Sequence, residues 1–145
     1  MQVNKILVPV DFSDNSEKIL KSALFMAKKC GASISVVVQS IEDYSGFFVP
    51  HIPITQFEEE MVEGANKRME SFMEENMDRS VPGSAKVLIG DVAEEIIKLA
   101  EAEQMDLIVM GTHGYKGVEK VLFGSVAEQV VKRSPCPVLT INPYK

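Results

Sequence analysis

Short runs of branched apolar residues alternate along this chain with longer stretches in which apolar positions recur every three or four residues. Lys5-Ile6-Leu7-Val8-Pro9-Val10 is the first run, as unbroken as a strand buried on both faces requires. It stops at Asp11-Phe12-Ser13-Asp14, where Asp14 and, three residues on, Glu17 read as a capping box that opens a helix. Ile19, Leu20, Ala23, Leu24 and Ala27 mark the inner stripe of that helix. Lys28 and Lys29 suit its C-terminal dipole, and Gly31 supplies a left-handed stop. A second strand is predicted from Ile34 to Ser40. Ile41 to Thr55 carries Gly46, Pro50 and Pro53 without periodicity and reads as a long loop, the kind that in compact domains is functional or mobile. A second helix follows from about Gln56 to Asp78, with Met61, Ala65, Met69, Phe72 and Met73 as a core-facing stripe, and Pro82-Gly83 ends the segment. A third strand is predicted from Ala85 to Ile89. Gly90-Asp91 then leads, with Asp91 as N-cap, into a helix that turns Ile96, Ile97, Leu99 and Ala100 inward. Leu107 to Met110 is the fourth strand, Ser125 to Arg133 the last helix, and Val138 to Ile141, introduced by Pro135 and Pro137, the fifth strand.

Five strands alternating with four helices imply an α/β fold: a doubly wound five-stranded parallel sheet with helices on both faces, in one domain over residues 1–145. Ligands of such sheets bind beyond the carboxyl ends of the strands, where the strand order reverses. In a 3-2-1-4-5 sheet that point lies between the exits at Asp11 and Gly111; in a 2-1-3-4-5 sheet it lies between Asp11 and Gly90-Asp91. The residues favour the first order. Gly111-Thr112-His113-Gly114-Tyr115-Lys116-Gly117 places three glycines where backbone N–H groups can close on an anion, and Gly124-Ser125 follows where the next helix begins. The alternative exit has one glycine, and Asp91, Glu94 and Glu95 would repel an anion there.

Composition removes whole classes of function. Hydrophobic residues make up 46% and charged residues 25%, as in an ordinary globular domain, so disorder and rod-like architectures are out. Fifteen Lys and Arg against 21 Asp and Glu leave a net charge of −6, which argues against duplex nucleic acid and anionic membranes as partners. No run of about 18 apolar residues exists to cross a membrane, and Met1 to Val10 lacks the layout of a signal peptide, so a cytoplasmic location is expected. Cys30 and Cys136 form no CxxC and are expected to be two buried thiols. There is neither a GxxxxGK[ST] phosphate loop nor a GxGxxG fingerprint. A receiver domain would need an acidic pair after the first strand, and Asp11 stands alone.

Gly111-x2-Gly114-x9-Gly124-Ser125 resembles the G-x2-G-x9-G-[ST] motif of the universal stress protein family, and it stands after the strand where that family carries it. Ile6-Leu7-Val8-Pro9-Val10-Asp11-Phe12-Ser13, Gly90-Asp91 with Ile96, and Ser134-Pro135-Cys136-Pro137-Val138 are similar as well; only Ile41 to Pro82 falls outside the likeness. The resemblance implies an adenine nucleotide alpha hydrolase-like fold of order 3-2-1-4-5 that binds ATP, with Mg²⁺ on its phosphates, in a homodimer. Carried onto this chain, it sets Pro9, Val10 and Asp11 at the adenosine end and Gln39-Ser40, where members often have His-Val, beside adenine. Met110, Gly111 and Gly114 would flank ribose and phosphates, and Gly124, Ser125 and Val126 would hold the phosphate tail. Ala127 stands where some nucleotide-binding members have a hydroxyl.

Asp11 keeps a second reading as a helix cap, and the glycines one as a tight surface turn. His113 has no nucleophile beside it in sequence, Lys116 and Lys120 suit either phosphate or solvent, and His51 reads as surface. Glu119 is the only carboxylate between Gly111 and Ser125, whereas phosphoryl transfer needs a base and metal-holding carboxylates. A regulatory binding module is therefore expected ahead of a weak ATPase or transferase, and ahead of a stress protein that binds no nucleotide. The apolar last strand, Val138 to Ile141, would lie at a sheet edge, and pairing of two such edges would cover it in a homodimer.

Overall fold

A computed structural model describes residues 1–39, 54–112 and 122–145. Along the chain run β1 (Lys5–Val10), α1 (Asp14–Cys30), β2 (Ser33–Gln39), α2 (Ile54–Asn76), β3 (Gly83–Leu88), α3 (Val92–Ala102), β4 (Leu107–Gly111), α4 (Leu122–Arg133) and β5 (Val138–Ile141). The strands form one parallel sheet in the order β3-β2-β1-β4-β5, the first of the two orders weighed above.

Alternation along the central strands divides the core in two. Ile6, Val8 and Val10 of β1, Ile34, Val36 and Val38 of β2 and Val109 of β4 face α1 and α2, packing on Leu20, Ala23, Ala27 and Met69. Leu7, Val37, Ile108 and Met110 face the other way, against Ile96 and Ala100 of α3 and Ala127 and Val130 of α4. Continuous apolar strands are thus accounted for by helices on both faces.

Local signals explain two of the helix ends. Gly31 takes φ 69° and its N–H reaches the Ala27 carbonyl, closing α1 as a left-handed cap. The Asp91 carboxylate accepts from the Glu94 N–H at 3.0 Å and starts α3. Three expectations need correction. The N-cap of α1 is Ser13, one residue before Asp14, and its hydroxyl makes no capping bond. Helix α2 begins at Ile54, so Ile54 and Thr55 leave the expected loop, and the rest of that loop lies outside the described residues. Its stripe is buried only toward its C-terminal half: Met69 is in the core with Phe72 and Met73 against it, while Met61 is exposed.

The cysteines also depart from expectation. Cys30, the last residue of α1, is exposed, and Cys136 is half-buried; both are free thiols. Helical spacing gives a side chain's direction, and whether a neighbour covers it there is settled by packing. Among the described residues, no helix is long and apolar enough to cross a membrane.

Candidate functional site

The chain reverses direction across the sheet between β1 and β4, and a proline shapes that junction. The Asn4 carbonyl accepts from the Ser33 N–H and the Lys5 carbonyl from the Asp106 N–H, each at 2.9 Å, so successive β1 residues address β2 and β4 in turn. Pro9 falls on the side facing β4 and has no N–H to give. Accordingly β1 pairs with β2 as far as Val10↔Val38, but with β4 only through Ile6↔Leu107 and Leu7↔Ile108. The carboxyl ends of β1 and β4 are therefore less tied to one another than their amino ends, at the place where sheets of this type take ligands.

The exit of β1 is tightly organised. Phe12 has φ 62°, left-handed for a bulky residue, which costs on the order of 1–3 kcal/mol and must be held by its surroundings. Its ring lies edge-on to Phe72, with centroids 5.9 Å apart, and the Arg68 guanidinium sits 4.6 Å over it, both from α2. This turn brings the half-buried Asp11 carboxylate back to α1. Its Oδ1 accepts from the Ser13 N–H at 2.9 Å and from the Ser16 hydroxyl at 3.0 Å, while the Asp11 N–H donates to Ser16 Oγ at 3.2 Å. Asp11 thus ties the end of β1 to the start of α1, and the Ser13 hydroxyl is buried without a hydrogen-bond partner among the described residues.

The exit of β4 lies opposite. Met110 and Gly111 are buried, and the half-buried Thr112 donates its N–H to the Ile141 carbonyl at 2.9 Å. Beyond Ile141 the C-terminal segment returns to α1: the Asn15 amide donates to the Tyr144 hydroxyl at 3.3 Å and Lys18 Nζ to the Pro143 carbonyl at 3.2 Å.

Helix α4 begins at Leu122, three residues before the expected start at Ser125, so Gly124 and Ser125 belong to its first turn. That turn has no acidic residue, whereas α1 opens with Asp14 and Glu17 and α3 with Glu94 and Glu95. The start of α4 thus carries no carboxylate of its own helix, which suits an anion there.

Several predicted site residues turn their side chains away. Pro9, Val10 and Met110 are buried in the sheet core, so only their backbone can meet a ligand. Val126 is half-buried against the same cluster as Met110. Gln39 ends β2, its backbone paired with Leu88. Ser40, Gly114, His51, His113, Lys116, Glu119 and Lys120 lie outside the described residues. Ala127 is 6% exposed and packs into the core of the α3 and α4 face, so a hydroxyl there would be buried instead of meeting a ligand. Ala127→Ser is therefore expected to lower stability by about 1 kcal/mol, seen as a lower melting temperature, with no gain in ligand affinity.

Sequence reading missed Ser16 and Asn15, the two buried polar residues of the described chain. Their signal was present. Ser16, Leu20, Ala23 and Ala27 share helical spacing, so a hydroxyl stands on the inward stripe next to the end of β1.

Comparison with known proteins agrees with this architecture. The family model described as the universal stress protein family matches residues 2–142. Universal stress protein YxiE of Bacillus subtilis is 31% identical over 145 residues, covering 95% of this chain and 98% of its own. Among solved structures, that of the Methanocaldococcus jannaschii universal stress protein MJ0577 matches with a TM-score of 0.80 at 29% identity, over 98% of this chain and 97% of its own. The universal stress protein from Archaeoglobus fulgidus in complex with dAMP shares the fold, with a TM-score of 0.61 at 22% identity over 98% of this chain and 100% of its own.

Proposed function

This chain belongs to the universal stress protein family, and we propose that it is an ATP-binding regulatory module of that family, one domain over residues 1–145, with slow or no hydrolysis. The observation that carries the reading is the pairing of two features at the carboxyl edge of the sheet, where β1 and β4 are neighbours. The Gly111-x2-Gly114-x9-Gly124-Ser125 motif is intact, and it runs from the exit of β4, beside Asp11, to the acid-free first turn of α4. Adenosine would lie toward Asp11 and Gln39-Ser40, and the phosphates toward Gly114, Gly124 and Ser125, with backbone N–H groups as donors. Mg²⁺ would enter on the phosphates. The same fold in the Archaeoglobus protein was solved with an adenine nucleotide, which supports the choice of ligand class.

Turnover is expected to be poor, because Glu119 is the only carboxylate between Gly111 and Ser125 and phosphoryl transfer needs both a base and metal-holding groups. The test is to denature freshly purified protein and identify what it releases by mass spectrometry. ATP near one per chain is the expected result. ADP in its place would point to hydrolysis or to capture of the product from the cell. A protein that carries no nucleotide, and also refuses added ATP with Mg²⁺, would remove the nucleotide reading.

We also propose a homodimer in which the β5 edges of two chains cover one another. Val138 and Ile141 are half-buried and Leu139 is 38% exposed on a strand that, among the described residues, has a neighbour on one side only. Light scattering at micromolar concentration is expected to give twice the 16.0 kDa of the chain, and a clean monomer would overturn the proposal.

A further inference from the structure

We infer that Ser16 is a positioning residue for ligand binding: its buried hydroxyl sets the orientation of the Asp11 carboxylate toward the adenosine end of the nucleotide. The inference rests on the nucleotide reading proposed above and assigns within it a residue that never touches the ligand.

Ser16 is 1% exposed, in the first turn of α1 and on the stripe that otherwise carries Leu20, Ala23 and Ala27. A hydroxyl in that place is costly unless satisfied, and its partners both belong to one residue. The Asp11 N–H donates to Oγ at 3.2 Å and Oγ donates to Asp11 Oδ1 at 3.0 Å, so Ser16 grips the backbone and the side chain of Asp11 together. The bond from the Asp11 N–H holds Oγ in place beside the carboxylate, and the bond from Oγ to Oδ1 then sets the χ angles of Asp11. The Ser13 N–H, at 2.9 Å from the same Oδ1, completes the arrangement. A simple helix cap would not require this much. Ser13, the N-cap residue, carries a hydroxyl that could have capped α1 on its own, yet that hydroxyl is unpartnered among the described residues while the carboxylate is drawn back from the end of β1. The left-handed Phe12 between them, braced by Arg68 and Phe72, makes that return possible.

The chemistry follows from what a carboxylate can recognise. Adenosine offers donors at its amino group and its ribose hydroxyls, and a carboxylate held at one angle accepts from one of them as a charge-assisted bond. Without Ser16, the carboxylate is held at Oδ1 by the Ser13 N–H alone, turns more readily and loses part of that selectivity to solvent.

The test is a double-mutant cycle on equilibrium ATP binding with Ser16→Ala, Asp11→Ala and the double variant, the melting temperature of each being recorded. Ser16→Ala is expected to weaken ATP roughly five- to tenfold, because binding must then order the Asp11 side chain that Ser16 holds in advance. In the Asp11→Ala background the same change is expected to cost nothing further, because Ser16 then has no carboxylate to hold. A Ser16→Ala protein that binds ATP like the wild type, or a loss that persists in full without Asp11, overturns the inference while leaving the nucleotide reading intact. Wild-type protein that binds no adenine nucleotide overturns both. Should Ser16→Ala fail to fold, Ser16→Cys, nearly equal in size and a poor donor, takes its place with the same expected direction, and wild-type affinity in that variant overturns the inference.

Discussion

Ile108→Ala is expected to lower stability by about 4 kcal/mol, the upper part of the range for emptying a large buried aliphatic site. Ile108 is fully buried at the middle of the sheet, paired with Leu7 of β1 on one side and Val138 of β5 on the other. Its side chain sits among Ile96 and Ala100 of α3 and Ala127 and Val130 of α4. Those helices are anchored to neighbouring strands, so they have little freedom to close over the lost atoms. For a chain of this length the loss corresponds to a fall of roughly 10–15 °C in melting temperature. Urea unfolding should show a lower midpoint at unchanged slope, the mark of lost stability without a change in exposed surface. Leu139→Ala on the partly exposed β5 is the control, expected to cost less than about 1 kcal/mol. Because α4 rests on this cluster through Ala127 and Val130, the Ile108 variant is also expected to bind nucleotide more weakly near its melting range.

The second large effect separates two jobs of Asp11. Asp11→Ala is expected to weaken ATP binding roughly 10- to 100-fold, the loss of a charge-assisted acceptor, and to lower stability by about 1–2 kcal/mol as the Ser13 N–H and the Ser16 hydroxyl lose their acceptor. Asp11→Asn keeps an oxygen where Oδ1 stands, so its melting temperature is expected to stay near the wild-type value. Its ATP affinity should still fall about tenfold, because a neutral amide is the weaker acceptor. Calorimetric titration beside a thermal melt reads both quantities on the same samples. An Asp11→Asn protein with wild-type affinity would reduce Asp11 to a helix cap.

The order and type of the elements were legible in the sequence because this sheet is buried on both faces. Its strands then read as unbroken branched runs, Ile6 to Val10 and Leu107 to Met110, and its helices as stripes such as Ile19, Leu20, Ala23, Leu24 and Ala27. Gly31 and Asp91 were legible for a local reason: a left-handed stop and a carboxylate cap depend on their immediate neighbours. Even the strand order could be argued, since glycines gathered after the fourth strand have a use only if that exit opens on the first.

Tertiary structure decided what lies across space from what. Helix α4 starts before Gly124 because the core it packs on outweighs the helix penalty of one glycine, about 1 kcal/mol. Ala127 turned out to be core, and Cys30 surface, because helical spacing sets a direction and leaves open whether another element covers it. The return of the Asp11 carboxylate onto Ser16 depends on a left-handed Phe12 steadied by Arg68 and Phe72, more than fifty residues away along the chain. Sequence alone could name Asp11 as the residue to watch. Its aim is set by contacts that exist only once α2 has packed beside β1.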